Sequence, residues 1–504
     1  MKRKAKIFTL AMSALMGLSV FAGCDGGFGG GGDGGGGGLA NTDPFVDDYD
    51  PNASYEIDFL GWGDAKEQAI YKRIINDFMT AHPNIKVNYD ACSAGEYLTK
   101  LTGEIRDLPD VFYLPDTEFY QWVDGGHLLN VLGENGEGVD TEALENVWDN
   151  AVNEYYYNPT TKMLGKSEGA GMYALPKDQG PFTLAYNIDL VNEQIAKNNL
   201  QDDAEVAALF SGTPVTWDVF RSAMKKLLVG AGENVYGIPY YELEHAVYSN
   251  NAEFFDEGAK TSQLTSTATV DAVQFIGDLC TDGITPKDGL AGNGDGADNA
   301  FYQRRALMTF VGPWDFATIW EMDHFNVDLL AVPYGPGPDR EYNTADDGKS
   351  TAFIGSMGYC VAQKTKERGT SGASLMLAEY LCFDEGAQRK FYSFGQCVPN
   401  LKDMAYEEYI PDSLGIMADE GHTAPESRDI FIDIVDGFKD ENDKIGGRPR
   451  VLYYTYLTAW RINLEDAINQ SGLYTGAVTA REVLEGFNDS FQASLDEMIE
   501  YLEE

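Results

Sequence analysis

The sequence is poor in basic residues, and this shortage excludes one class of partner. Its 504 residues contain 36 Lys+Arg against 81 Asp+Glu, which gives a formal net charge of −45 at pH 7. Such a field repels nucleic acids and anionic lipid headgroups. We therefore expect no nucleic-acid partner, whereas a neutral or a cationic ligand is compatible with the charge.

Cysteine and histidine are scarce, and neither forms a recognisable metal or catalytic motif. The chain has 6 Cys and 5 His, with no C-x-x-C pair and no H-E-x-x-H motif. The Gly348–Thr351 segment ends like a phosphate loop but has Asn343 where the first glycine is required. We predict no cofactor, no metal and no catalysis. The cysteines after Cys24 are interpreted as free thiols, with one structural disulfide as the alternative.

A long apolar run occurs only at the N-terminus. Basic residues at positions 2, 3, 4 and 6 precede a mostly apolar stretch from Ile7 to Gly23, which is short for a membrane span. The run ends in Val20-Phe21-Ala22-Gly23-Cys24, which resembles a bacterial lipobox. The resemblance implies that residues 1–23 are a signal peptide and that Cys24 carries a lipid anchor such as palmitate. An ordinary secretory signal with an incidental cysteine is the alternative.

Residues 24–50 are typical of a flexible tether. Between Gly26 and Gly38 the chain is glycine apart from Phe28 and Asp33, so it buries too little apolar surface to fold. Such a coil reaches roughly 25–30 Å. We expect a domain held off the extracellular face of the cell membrane, as on a Gram-positive-type surface, with no later membrane span.

The segment after the tether alternates strand and helix patterns. Asp64 is a candidate N-cap for a helix that Pro83 ends, and apolar residues at helical spacing lie between them. This order predicts an α/β fold with a parallel sheet. The predicted strands are 54–60, 85–89 and 110–114, and further helices are predicted at 216–229, 270–279, 373–383 and 482–501.

Two strand ends are candidate ligand-binding turns. In open α/β sheets, ligands bind beyond the carboxyl ends of the strands. That rule places the turn of Trp62 and Asp64 beside the turn of Tyr113 and Asp116. Trp62 is expected to stack on a ligand and Asp64 to bind hydroxyls, the alternative being a packed tryptophan and a helix cap. For Tyr113 and Asp116 the alternative is a core tyrosine and a second helix cap.

Six segments carry a resemblance to a known family. In this order they resemble the extracellular solute-binding proteins of ABC sugar importers, the family-1, maltose-binding-protein-like group. The segments are FLGWGDAKEQAIYKRIINDFMTAHPNIKV, PDVFYLPDTEFYQWVDGGHLLNV, MYALPKDQGPFTLAYNIDLVNE, TPVTWDVFRSAMKKL, FYQRRALMTFVGPWDFATI and GSMGYCVAQKTK.

The resemblance implies a two-lobed periplasmic-binding-protein-like fold of type II. Each lobe would be a doubly wound sheet flanked by helices, with the ligand in a cleft between the lobes. Lobe one would comprise 51–176 and 353–425, and lobe two 177–352 and 426–504. The implied function is to capture an extracellular sugar or oligosaccharide and deliver it to ABC permease subunits. We expect a monomer.

Three further site residues follow from the same resemblance, and a fourth, Tyr453, follows from its spacing. Trp314, in the turn Gly312-Pro313-Trp314, matches a stacking tryptophan of the family. Tyr241 and Glu242 match a loop with ligand contacts. Tyr453 lies on a predicted helix where cleft and core are equally compatible with its spacing.

Two other functions are compatible with the residues. A receptor for a polyamine or another small cation would use several carboxylates in the cleft, which the acidity permits. A surface glycosidase would need a pair of carboxylates at the correct separation. The number of candidate aromatic contacts favours a sugar over a cation.

Overall fold

A computed structural model describes residues 45–503 with internal gaps. The gaps are residues 46, 64, 134–137, 233, 257–259, 287–294, 322–325, 394, 396, 411–424, 440–442 and 450–457. The predicted signal peptide, Cys24 and most of the tether lie outside the described residues, and so do Asp64 and Tyr453.

The described chain alternates strands and helices, as the sequence predicts. The strands are β1 Tyr55–Trp62, β2 Ile85–Cys92, β3 Val111–Pro115, β4 Tyr156–Asn158, β5 Met163–Leu164, β6 Gly171–Met172, β7 Leu175–Pro181, β8 Thr183–Asn187, β9 Met308–Val311, β10 Val327–Leu330, β11 Ser350–Val361 and β12 Ile445–Pro449.

Helices flank these strands throughout the described part of the chain. They are α1 Ala65–Ala81, α2 Ala94–Gly103, α3 Phe119–Asp124, α4 Asp149–Glu154, α5 Ile188–Asn198, α6 Ala204–Leu209, α7 Trp217–Leu227, α8 Leu243–Tyr248, α9 Thr267–Thr281, α10 Asp295–Tyr302, α11 Phe316–Glu321, α12 Thr365–Arg368, α13 Ser371–Phe383, α14 Glu385–Ser393, α15 Lys402–Met404, α16 Asp429–Asp436, α17 Thr458–Gln470 and α18 Ala480–Glu503.

The first sheet has the order β12-β11-β3-β1-β2, with β7 also paired to β11. Strands β1, β2 and β3 are parallel, which confirms the predicted arrangement. Helix α1 ends before Pro83 and buries Ile70, Ile74 and Phe78, because these residues recur at helical spacing. The carboxyl ends of β1 and β3 consequently lie side by side.

The second sheet is small and has the order β10-β8-β9. Both neighbours of β8 run antiparallel to it, whereas two isolated bridges, Thr216–Tyr334 and Tyr236–Ala306, are parallel. Helices α7 and α9 confirm the predictions at 216–229 and 270–279. The Thr216 side chain accepts a hydrogen bond from the Val219 N–H and caps α7.

The chain passes from the first sheet to the second at Phe182, between β7 and β8. Strand β11 pairs with β7 on one side and with β12 on the other. The whole of β7 therefore belongs to the first sheet, whereas the predicted lobe boundary is at 176–177. Helix α16 also packs on β12, β11 and β7, although residues from 426 onward are predicted in lobe two.

The cysteines that the structure describes form no disulfide with one another. Cys280, Cys360, Cys382 and Cys397 are buried, and Cys92 is partly buried. Within the described ranges, no helix is both long enough and apolar enough to cross a membrane.

Candidate functional site

Trp62 ends β1 and lies on two buried tyrosines. Its ring meets those of Tyr97 and Tyr113 edge-on, with centroids 5.0 and 5.7 Å away. The next residue, Gly63, has φ of +134°, and a Cβ there would lie 2.3 Å from Glu67 Oε2. Because residue 63 is glycine and has no side chain, the carboxylate of Glu67 can pack against this turn. The half-buried indole of Trp62 therefore packs on Tyr97 and Tyr113 at the carboxyl end of the sheet.

Tyr113 belongs to a buried group of tyrosines under the turn. Its side chain has no exposed surface, and burial raises the pKa of its hydroxyl. Its N–H donates to Tyr97 Oη at 2.8 Å, and the hydroxyls of Tyr71 and Tyr359 lie 2.9 Å apart. Tyr113 therefore supports Trp62 in this structure, and its direct contact with a ligand stays a prediction.

Lys177 joins this group and was missed by the sequence reasoning. Its Nζ lies 2.6 Å from Asp178 Oδ2, 3.4 Å from Glu67 Oε1 and 5.5 Å from the Tyr113 ring centroid. Burial lowers the pKa of the ammonium, but the charges of Asp178 and Glu67 outweigh this and leave the pKa well above its ordinary value. Lys177 is therefore a buried, charged and paired lysine.

Asp116 lies in a second buried polar group, next to Glu154. Its N–H donates to the Ser356 carbonyl at 3.1 Å, and both carboxyl side chains are almost fully buried. Burial, followed by the nearby charge of Asp116, raises the pKa of Glu154 well above its ordinary value. Gln179 Nε2 approaches Glu154 Oε2 at 3.5 Å. Asp116 thus faces another carboxyl group, and its contact with a ligand stays a prediction.

Trp314 lies in the turn after β9 and packs on the segment that crosses between the sheets. Its ring stacks on Phe182 with centroids 6.1 Å apart, and 43% of the residue is exposed. A Cβ at Gly180 would lie 2.9 Å from the indole, so glycine permits the close approach. The Gly312 N–H donates to Asp315 Oδ2 at 2.8 Å and fixes the turn. Trp314 therefore presents aromatic surface at the crossing between the lobes.

Tyr241 and Glu242 lie at the start of α8 in the second lobe. Tyr241 is buried and meets Phe275 and Phe310 edge-on at 5.1 and 5.3 Å. Glu242 Oε1 accepts a hydrogen bond of 3.1 Å from Tyr240 Oη. The structure places Tyr241 in an aromatic core, whereas Glu242 pairs with the partly buried Tyr240. Their ligand contacts stay predictions.

Strand β7 connects the parts of the site. Lys177 contacts Tyr113, Gln179 approaches Glu154, and Gly180 lies under Trp314. Between them, Asp178 Oδ1 accepts a hydrogen bond from the Met357 N–H at 3.2 Å. Residues 177–180 therefore place the Trp62 turn, the Asp116 group and Trp314 beside one strand, β7, which leads to the crossing at Phe182.

A comparison with protein families identifies the family of this chain. The model for bacterial extracellular solute-binding proteins matches residues 73–416, which is well over half of the chain. The chain belongs to this family. The polar and aromatic side chains along β7 thus lie in a solute-binding protein. No curated protein sequence matches the chain.

Solved structures share the fold of this solute-binding protein. An ABC substrate-binding protein from Listeria monocytogenes in complex with cycloalternan has a TM-score of 0.64 at 17% identity, covering 88% of this chain and 99% of that one. Maltose-bound MalE3 from T. maritima has a TM-score of 0.62 at 17% identity, covering 87% and 99%. The sugar-binding protein MalE from Xanthomonas citri has a TM-score of 0.64 at 15% identity, covering 89% and 99%.

Proposed function

We propose that this solute-binding protein captures a neutral sugar or oligosaccharide between its two lobes and delivers it to the permease subunits of an ABC importer. The observation that carries the proposal is the exposed indole of Trp314 stacked at the crossing. Sugars present apolar C–H faces, which pack on flat aromatic surfaces. The second aromatic surface, Trp62, lies at the carboxyl end of the first sheet.

Polar groups beside these aromatics suit the hydroxyls of a sugar. Lys177 supplies N–H donors, and Glu67 and Asp178 supply carboxylate acceptors. In the proposed site, Asp64, Asp116, Glu242, Tyr113, Tyr241 and Tyr453 add to these groups. When lobes close on a ligand they exclude water, which strengthens each hydrogen bond.

The structural relatives support a carbohydrate ligand. The Listeria monocytogenes protein was solved with cycloalternan and the T. maritima protein with maltose. Both ligands are neutral and rich in hydroxyl groups. This chemistry fits a site in which aromatic rings and paired charges lie side by side.

The proposal includes the predicted anchoring and division into lobes. Cys24 would tether a monomer to the extracellular face of the membrane through residues 24–50. The lobes would be built from the predicted segments, 51–176 with 353–425 and 177–352 with 426–504, except that β7, α16 and β12 go with lobe one because they pair with or pack on the first sheet. Delivery to a permease involves no catalytic step by this chain, so we propose that it is not an enzyme.

A thermal-shift screen of the full mature chain in detergent tests the proposal. The panel contains maltotriose, cycloalternan, cellotriose, xylotriose, putrescine and single amino acids. A ligand at 100 times its dissociation constant stabilises a protein by about 2.7 kcal/mol. We expect this shift with at least one neutral oligosaccharide. Stabilisation by putrescine or an amino acid, with no response to any glycan, would refute the carbohydrate proposal.

A further inference from the structure

The Lys177 ammonium lies in surroundings that suit a bound cation. The carboxylates of Asp178 and Glu67 lie 2.6 and 3.4 Å from Nζ, and the Tyr113 ring centroid is 5.5 Å away. All three charged side chains are less than one-fifth exposed. Two carboxylates and an aromatic face are the groups that bind amines in proteins.

This position is next to the proposed ligand surface. Glu67 lies against the Gly63 turn that follows Trp62, and the Tyr113 ring that Lys177 faces is the one on which Trp62 packs. On the same strand, Gly180 lies under Trp314. An ammonium group on a ligand held by Trp62 would therefore come close to Glu67 and Asp178.

The overall charge of the protein favours the approach of cations to the site. With a formal net charge of −45, the protein attracts small cations to its surface, including polyamines. A site that selects neutral ligands must reject these cations locally, because the long-range field favours them. The Lys177 ammonium offsets one of the two carboxylate charges and occupies the place beside both, so it competes with any ligand amine for these carboxylates.

We infer that Lys177 sets the specificity of this site for neutral over cationic ligands, because its own ammonium fills the position in which a ligand amine would bind. The inference rests on the proposed function and adds the class of ligand that is rejected. The Lys177 ammonium is part of the chain and is already paired with Asp178 and Glu67. A ligand amine would have to displace it in order to reach these carboxylates.

Replacement of Lys177 by methionine tests this role. The Lys177→Met change keeps most of the side-chain volume and removes the ammonium, leaving Glu67 and Asp178 for another cation. Putrescine is titrated calorimetrically into the full mature chain in detergent. We expect the variant to bind putrescine at least about 100-fold more tightly than the wild type, a factor that corresponds to about 2.7 kcal/mol.

A surface lysine serves as the matched control. Lys86 also pairs with a carboxylate, Glu56, but both side chains are more than half exposed. Lys86→Met removes one positive charge without opening a buried position, so it should leave putrescine binding at the wild-type level. An equal gain in both variants would mean that net charge alone attracts putrescine, and would overturn the role of Lys177.

A double variant covers the case in which the single variant fails to fold. Removing the ammonium takes away the positive charge that two buried carboxylates share, which is strongly destabilising. Lys177→Met with Glu67→Gln leaves only the Asp178 charge and should also gain putrescine binding. Lys177→Arg keeps the positive charge and should reject putrescine as the wild type does.

The outcomes separate this inference from the function on which it rests. If the wild type binds a neutral oligosaccharide but neither methionine variant gains putrescine binding, the role of Lys177 is wrong and the proposed function stands. If the wild type binds no neutral oligosaccharide, the proposed function is wrong. Tight putrescine binding by the wild type would overturn the role of Lys177, and together with no binding of any neutral oligosaccharide it would also overturn the proposed function.

Discussion

Trp314 stacks on Phe182, the residue at which the chain crosses from the first sheet to the second, with ring planes only 8° from parallel. Gly180 and Gly312 lie so close to the indole that a Cβ at either position would clash with it. One face of the indole is therefore held by the crossing segment while a large part of the side chain remains exposed. A ligand that packs on this surface would meet a ring that is already positioned, which lowers the entropy lost on binding.

Replacing Trp314 by alanine should weaken sugar binding and change stability little. The change removes apolar contact worth about 1.5–3 kcal/mol and aromatic contact worth about 0.5–1.5 kcal/mol. We expect a loss of about 2–4 kcal/mol, or roughly 30- to 1000-fold in the dissociation constant. The melting temperature without ligand should stay close to that of the wild type. Calorimetric titration and thermal unfolding measure the two quantities.

Tyr406 provides a control for this substitution. It has a similar exposure of 44%, and it contacts Trp148 and Asp436 in the first lobe. Tyr406→Ala should leave sugar affinity unchanged. A large fall in the melting temperature of Trp314→Ala with intact affinity would instead identify Trp314 as a structural residue, and Trp62 would become the leading stacking surface.

The free energy of unfolding should fall as the pH rises, because Glu154 is buried in its protonated form. Burial and the charge of Asp116 raise its pKa in the folded protein, so it keeps its proton above the ordinary value near 4.5. The unfolded chain releases this proton, and raising the pH therefore favours unfolding until the folded pKa is passed. Glu154→Gln should gain stability relative to the wild type as the pH rises above the ordinary glutamate pKa near 4.5. Denaturant unfolding at a series of pH values measures the difference.

Glu56 should have the opposite effect and increase the free energy of unfolding as the pH rises. Hydrogen bonds from Lys86 and Asn88 lower its pKa, so its contribution to stability is present above the ordinary pKa and lost in acid. Glu56→Gln should therefore lose a little stability relative to the wild type as the pH rises. If the Glu154→Gln difference followed the same direction, the interpretation of a protonated, buried Glu154 would be incorrect.

Gly61 should not tolerate a side chain. A Cβ at this position would lie 2.3 Å from Tyr113 Oη and 3.0 Å from Tyr89 Cε2. Gly61→Ala must displace the tyrosines under Trp62, which we expect to lower the free energy of unfolding by about 1–3 kcal/mol. A Cβ at Gly95, inside α2, would meet no atom within 4 Å. Gly95→Ala should leave stability unchanged or raise it by up to about 1 kcal/mol. Equal effects in urea unfolding would argue against close packing at Gly61.

Cys24 should determine whether the protein stays on the membrane. In the proposed lipoprotein, Cys24→Ala removes the acylated residue, so the protein should leave the membrane fraction or keep its signal peptide. Fractionation followed by intact-mass measurement distinguishes these results. A variant that fractionates like the wild type and has its signal cleaved as the wild type does would count against a lipid anchor at Cys24.

The sequence predicts β1, β2 and β3 of the first sheet well because their signals are local. Alternation in β1 and the helical spacing of Ile70, Ile74 and Phe78 depend on residues close in the chain. Parallel pairing then places Trp62 and Tyr113 together by geometry alone. The exposure of Trp314 also follows from a local signal, the turn that Gly312-Pro313 imposes.

The rest of the site depends on residues that are distant in sequence. Lys177 looks like an ordinary polar residue until the fold brings Glu67 and Tyr113 to it. Tyr241 is predicted as a ligand contact from a loop position, but Phe275 and Phe310, from α9 and β9, surround it. Periodicity reveals which face of an element is apolar, but the partner that covers each side chain is set by tertiary packing.

The most direct test of sugar capture is a calorimetric titration of the full mature chain with neutral oligosaccharides. We expect saturable binding of at least one of them at micromolar or lower dissociation constant, about −8 kcal/mol or better. Absence of binding by every neutral oligosaccharide, together with tight binding of putrescine or an amino acid, would contradict the proposed function.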